Sequence, residues 1–338
     1  MGKKDIITKA YLQDNEVFAD VFNYQLFDGE PVIQSRDLKE LDPTELIILP
    51  DKSPDAAIVE QGKQRRQKQN RSNELIKGQF RDILRNTIIR SGGNAVYQLR
   101  LGTELQTAIH YAMPVRNQLY DAAEYYKQIE QTIRRHKREH DYKGHSSDEF
   151  TSWFYKEDDL IPVFTLTIYF GSDPWDGPKS LHEMMHSADP EILKHIPDYR
   201  IHLIEPARLT ECDLLKFQSS FREVMGYIKY SKDAAALKKY IKDNPRMNMD
   251  VSAARVIEAM TKTKIPYAEV KEDKIDMCKA IEDMLAQAKA EGEVTGENKG
   301  KFQALSELVQ DNILTAADAA KRAGMTLEEF SALCNRHV

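Results

Sequence analysis

The stretch from residue 80 to residue 106 decides the fold: Phe80-Arg-Asp-Ile-Leu-Arg-Asn-Thr-Ile-Ile-Arg90, then Ser91-Gly-Gly-Asn94, then Ala95-Val-Tyr-Gln-Leu-Arg-Leu-Gly-Thr-Glu-Leu-Gln106. Residues 80 to 90 favour a strand, 91 to 94 form a strong turn signal, and 95 to 103 are strand-like again, so a β-hairpin is predicted. With the turn centred on Gly92 and Gly93, the numbers of opposed residues total about 185, which sets Asp82 across from Thr103 and Glu104. Gln106 lies two residues beyond Glu104 and therefore on the same strand face.

Working outward, Val17, Phe18, Val21, Phe22 and Leu26 recur at helical spacing over residues 15 to 28, with Asp14 or Asn15 as the cap. Pro43, Pro50 and Pro54 interrupt the pattern, and the Gln/Arg/Lys stretch after Gly62 reads as a solvated loop. Downstream, Pro114 suits the first turn of a long helix whose apolar positions are Val115, Leu119, Ala122, Tyr126, Ile129 and Ile133. Ile161 to Phe170 is an apolar run typical of a strand buried on both faces, and Arg200 to Ile204 reads as a further strand. Helix, hairpin, helix and buried strand in that order predict an α/β domain with a mixed sheet over residues 1–210.

Beyond Leu209 the chain reads as helical, through 217–230, 234–242 and 253–260, giving a helical extension over 211–270. A helical tail follows over 271–338. In it Gly292, Gly296 and Gly300 each cost a helix about 1 kcal/mol, which favours a hinge over a close helix–helix contact in a homo-oligomer. Thr315 to Leu333 has the layout of a small helix-turn-helix head. Its second helix begins Thr326-Leu-Glu-Glu329, and two carboxylates at the end that would enter a DNA groove repel phosphate. A protein-contact role through the C-terminal helices suits this head better.

At 338 residues, with 41% hydrophobic and 30% charged residues, the chain is long and apolar enough for a large core. No run is long enough to cross a bilayer and the first residues lack a signal-peptide core, so no membrane association is expected. Cys212, Cys278 and Cys334 fit no disulfide or metal framework, which points to a reducing cytoplasm. A net charge of −6 argues against coating nucleic acid nonspecifically, yet two basic patches stand out. One holds Lys63, Arg65, Arg66, Lys68 and Arg71; the other holds Arg134, Arg135, Lys137 and Arg138. Either could track phosphates, although cations at a helix end are favoured by its dipole without any ligand.

Two carboxylates projecting from one end of a hairpin suit a hard divalent cation, with the Leu105 carbonyl and waters completing the shell. The same positions are also ordinary for solvated polar residues at strand ends. The segments Phe80-Arg-Asp-Ile-Leu-Arg85 and Leu101-Gly-Thr-Glu-Leu-Gln-Thr-Ala-Ile-His-Tyr-Ala-Met-Pro-Val-Arg116, then Tyr120-Asp121, the apolar run 161–171 and Trp175-Asp-Gly-Pro178, resemble the Rpn (YhgA-like) transposase group of PD-(D/E)XK nucleases. The similarity spans about residues 5 to 285.

It implies a restriction-endonuclease-like core and a Mg²⁺- or Mn²⁺-dependent DNA endonuclease linked to recombination, mobile elements or defence. By that resemblance Asp82 and Glu104 hold the metal and Gln106 takes the place of the superfamily's lysine. A glutamine can orient water but carries no charge to lower its pKa. Arg116 would then supply a cation near the phosphate, and Tyr120, one turn on, would contact DNA or pack beneath the hairpin.

Two rival readings compete. His182-Glu-Met-Met-His186 formally matches the zinc-protease pattern, in which two histidines lie one helical turn apart with a glutamate base. Pro178 and Pro190 confine it to barely two turns, and no third ligand stands at a diagnostic spacing. The second rival is an inert core serving a DNA- or protein-binding module.

Overall fold

The computed structural model describes residues 2–43, 81–91, 94–141, 144–242, 244–267, 273–310 and 314–334. The basic stretch with Lys63, Arg65, Arg66, Lys68 and Arg71, and the turn glycines Gly92 and Gly93, lie outside these residues. The chain divides into two compact units, Met1–Thr263 and Lys264–Val338.

In the first unit, helix α1 (Lys3–Leu12) leads into α2 (Asn15–Phe27). Asp14 caps α2 by accepting the N–H groups of Glu16 at 2.7 Å and Val17 at 3.3 Å, as its sequence position predicts. Strand β1 (Lys39–Glu40) pairs antiparallel with β2 (Ile83–Ser91), and β2 pairs antiparallel with β3 (Asn94–Gln106). Helix α3 (Met113–Glu139) then crosses to β4 (Val163–Tyr169), which lies parallel to β3, and β5 (His202–Ile204) lies parallel to β4. The five strands run in chain order across one mixed sheet. Short helices α4 (Glu149–Ser152) and α5 (Pro190–Leu193) sit in the connections.

The hairpin register runs from Ile83 opposite Thr103 to Ile89 opposite Tyr97, then slips by one at a bulge before Arg90 opposite Ala95. Alternation divides β3 between two layers. Leu99, Leu101 and Leu105 are buried and share their face with Arg85, whose guanidinium lies 4.5 Å from the Phe18 ring of α2. The even positions, Arg100, Gly102, Glu104 and Gln106, turn toward α3. Arg100 pairs there with the buried Glu124, and Asn117 of α3 donates to the Thr167 hydroxyl of β4 at 2.9 Å. The layer between sheet and α3 is thus unusually polar, and its groups are cross-linked.

After β5 come α6 (Glu211–Lys216), α7 (Phe221–Tyr230), α8 (Ala234–Lys242) and α9 (Val251–Thr261). They are continuous with the sheet domain, since α1 and α7 pack on α9. Buried Asp20 of α2 accepts from the N–H groups of Gln218 and Ser219 at 2.9 and 2.8 Å. The compact unit therefore takes in the segment expected from 211 to 270 as far as Thr263.

The second unit contains α10 (Met277–Gln310), α11 (Ala316–Ala323) and α12 (Leu327–Cys334). The hinge expected at Gly292, Gly296 and Gly300 is corrected: α10 runs unbroken through all three. A Cβ added at Gly296 or Gly300 would meet nothing within 4 Å among the described residues, so neither glycine serves a close contact there. The head closes around buried Leu305, Ala319, Ala320 and Phe330. Gly324 ends α11 at φ +76°, a left-handed position that glycine adopts without steric cost. Glu329 accepts the Thr326 N–H at 2.9 Å while its own N–H donates to the Thr326 hydroxyl, so this acidic residue completes a capping box at the start of α12. Among the described residues no helix is long and apolar enough to cross a membrane.

Candidate active site

Extending the hairpin register by one residue brings Asp82 opposite Glu104, on the sheet face that α3 covers. Asp82 precedes the first paired residue of β2, and its Oδ2 accepts the Leu105 N–H at 2.8 Å. This bond fastens the start of one strand to the end of the other. Because the N–H and C=O of a strand residue point to the same side, the Leu105 carbonyl also faces Asp82. The Gln106 carbonyl points the other way and accepts the Phe170 N–H at 2.9 Å.

Glu104 is fully buried. The Arg116 guanidinium, from the first turn of α3, lies 3.1 Å from its carboxylate, and the same guanidinium donates to the Tyr120 hydroxyl at 3.0 Å. Burial opposes the charge on Arg116, but Glu104, Tyr120 and Asp82 outweigh it and raise its pKa above the ordinary arginine value. The cation expected near the phosphate is thus committed to Glu104. Burial pushes the Asp82 carboxyl above the usual range, while the Leu105 N–H, Lys9 and Arg116 pull it down and Asp5 pushes it up again. The cluster is richer in carboxylate than in opposing charge, the condition a bound cation relieves. Gln106 is half-buried on the same face.

Of the two roles open to Tyr120, contact with DNA is corrected and packing is found. Its side chain is fully buried and lies 5.6 Å from the guanidinium of Arg81 on one side and of Arg116 on the other. It therefore packs beneath the hairpin. Behind it, Asp121 accepts from Arg81 at 2.9 Å, from the Thr165 hydroxyl at 2.6 Å and from the Tyr199 hydroxyl at 2.5 Å. Arg81 is fully buried and immediately precedes Asp82. A Cβ on Gly102 would meet the Arg81 Nη1 at 2.6 Å, so only glycine leaves room for that guanidinium.

Sequence reasoning missed the contribution of α1. Asp5 accepts the Thr107 hydroxyl at 3.1 Å, which holds α1 against the end of β3. Lys9 follows one turn later on the same helix face and acts on Asp82. The signal was present in Gly2 followed three residues later by Asp5, whose side chain accepts the Gly2 N–H at 2.9 Å. With only Thr8, Tyr11 and Leu12 of α1 buried, the apolar stripe is short and easily overlooked.

The second basic patch closes α3. Arg134, Arg135 and Arg138 pair with Glu130, Asp158 and Glu139, and the Lys137 ammonium lies 5.2 Å from the Trp153 ring. These partners and the helix dipole account for the patch. The zinc-protease reading is corrected as well. Residues His182–Met184 form a single 3-10 turn, so no α-helical face carries both histidines. His182 is also engaged through Nε2 with the Ile196 carbonyl at 2.8 Å, and Glu183 accepts the Lys179 N–H at 2.7 Å.

No family model, curated protein or solved structure matches the chain.

Proposed function

We propose that the protein is a Mg²⁺- or Mn²⁺-dependent DNA endonuclease of the PD-(D/E)XK type. The observation that carries this reading is the position of Asp82, one residue before β2 and opposite Glu104 by extension of the hairpin register, with Arg116 acting on both carboxyls, Glu104 fully buried and Asp82 raised by burial. Two carboxylates and the Leu105 carbonyl make an all-oxygen donor set, which suits a hard cation and not a thiophilic one. The mixed α/β sheet agrees with the fold that the resemblance implies.

A bound Mg²⁺ supplies charge to the scissile phosphate and makes water more acidic. Asp82, Glu104 and the Leu105 carbonyl would hold it. Gln106, two residues beyond Glu104, orients water through its amide without contributing charge. Arg116 pairs with Glu104 and holds it in place, and Lys9 adds a positive charge on the α1 side of Asp82. The polar layer around Asp121 fixes Arg81, and through it the strand start that presents Asp82.

Plasmid cleavage with and without Mg²⁺, comparing the natural protein with Asp82→Asn and Glu104→Gln, tests this directly. Metal-dependent cutting by the natural protein and a loss of at least 100-fold in each variant are expected. Equal cutting by all three places the chemistry elsewhere. No cutting by a natural protein that binds DNA favours an inert binding module.

A further inference from the structure

We propose that His145, Glu149 and Glu157 form a second metal site, which takes a divalent ion such as Zn²⁺ or Mn²⁺ and clips together the connection between α3 and β4. One ligand atom from each residue lies within 4.8 Å of the other two. The His145 Nδ1 stands 3.6 Å from the Glu149 Oε1. That is too long for a hydrogen bond, but close to the separation of about 3.4 Å that two donors about 2.1 Å from a tetrahedral ion adopt.

The ligands are oriented before any ion arrives. The His145 ring stacks on buried Tyr155, with centroids 3.7 Å apart and planes at 22°, and the Tyr155 hydroxyl donates to the Asp141 carbonyl at 2.8 Å. The Glu149 Oε2 accepts the N–H and hydroxyl of Ser146 at 2.7 and 3.0 Å, and its Oε1 accepts the Lys156 N–H at 3.1 Å. These bonds hold the Glu149 carboxyl down at a pKa of about 2, so it offers an anion at every working pH. Oε1, which accepts a single hydrogen bond, keeps a second lone pair for a metal.

Glu157 is exposed, and no hydrogen bond or ion pair engages it among the described residues. Two carboxylates are therefore held close with no described lysine or arginine side chain paired to either, a repulsion that a divalent ion converts into attraction. With Nδ1 on the metal, Nε2 carries the ring proton and faces the Asp141 carboxylate, 3.7 Å away. Metal-bound histidines are commonly backed by a carboxylate in this way. An imidazole among the donors favours Zn²⁺ or Mn²⁺ over Mg²⁺.

Asp141 also engages His136, near the last turn of α3, at 3.2 Å. His136 lies twenty residues along α3 from Arg116, about 30 Å at 1.5 Å per residue. The proposed site is accordingly independent of the carboxylates at Asp82 and Glu104.

The test is calorimetric titration of the full chain with ZnCl₂ and MnCl₂ after removal of bound metal by chelation. It is run in a Glu104→Gln background so that uptake at the hairpin does not contribute. One ion per chain is expected, and Glu157→Gln and His145→Ala should each weaken binding at least tenfold. Glu157→Gln alters an exposed side chain, so its folding is not at risk. A paired His182→Ala/His186→Ala variant should bind like its parent. Three results overturn the proposal: no uptake at about 100 µM free ion, unchanged affinity in both site variants, or loss only when His182 and His186 are replaced.

Discussion

Replacing Asp121 with alanine should destabilise the first unit by about 3 kcal/mol and weaken the presentation of Asp82. The carboxylate accepts three hydrogen bonds, one from the fully buried guanidinium of Arg81 and two from the hydroxyls of Thr165 and Tyr199. Removing one partner of a buried ion pair costs about 3–5 kcal/mol, and each neutral hydrogen bond contributes about 1 kcal/mol. Two features reduce the sum to about 3 kcal/mol. The Asp121 side chain is 16% exposed, so water can replace part of what is lost, and Arg81 retains its contact with the Tyr120 ring. The assay is urea unfolding followed by tryptophan fluorescence. Both tryptophans, Trp153 and Trp175, lie in the first unit, so the signal is not mixed with unfolding of the second. Tyr199→Phe, which deletes one hydroxyl, should cost about 1 kcal/mol in the same assay. A loss below about 1 kcal/mol for Asp121→Ala, with unchanged denaturant dependence, would refute the claim that this carboxylate compensates Arg81.

Arg116→Met removes the guanidinium from buried Glu104 and should cost about 2–3 kcal/mol, discounted because Arg116 is 25% exposed. Mg²⁺ should shift the urea midpoint of this variant more than that of the natural protein, and an equal shift would separate Glu104 from the metal. Asp82 has a folded-state pKa raised by burial, so the metal-free protein should lose stability as pH rises from the ordinary 3.8 through that raised value. Asp82→Asn should reduce this dependence, leaving the part due to buried Glu223, as read from urea midpoints between about pH 4 and 7. Mg²⁺ affinity should fall in the natural protein as pH drops through the same window, because protons compete for the carboxylate. Gly102→Ala sets a Cβ 2.6 Å from the Arg81 Nη1 and 3.2 Å from the Thr165 hydroxyl. Since Asp121 restrains Arg81, a cost of about 1–3 kcal/mol is expected, and a fully stable variant would show that the guanidinium moves freely.

The amino-acid sequence by itself determined whatever depends on neighbours along the chain. Turn chemistry at residues 91–94 and strand alternation placed Asp82 opposite Glu104 to within one residue, and Pro114, Asp14 and the run from 161 to 170 marked real element boundaries. Those features follow from backbone sterics and periodicity, which act over a few residues. Tertiary structure alone decided what depends on burial and on residues distant in sequence. It buried Tyr120 under the hairpin, committed Arg116 to Glu104, and wound His182–Met184 into a 3-10 turn. It carried Asp5 and Lys9 of α1 to strand ends some seventy to one hundred residues away, and brought Glu157 beside His145 and Glu149. Which face of a helix meets which strand is set by the packing of the whole unit, and no local pattern encodes it.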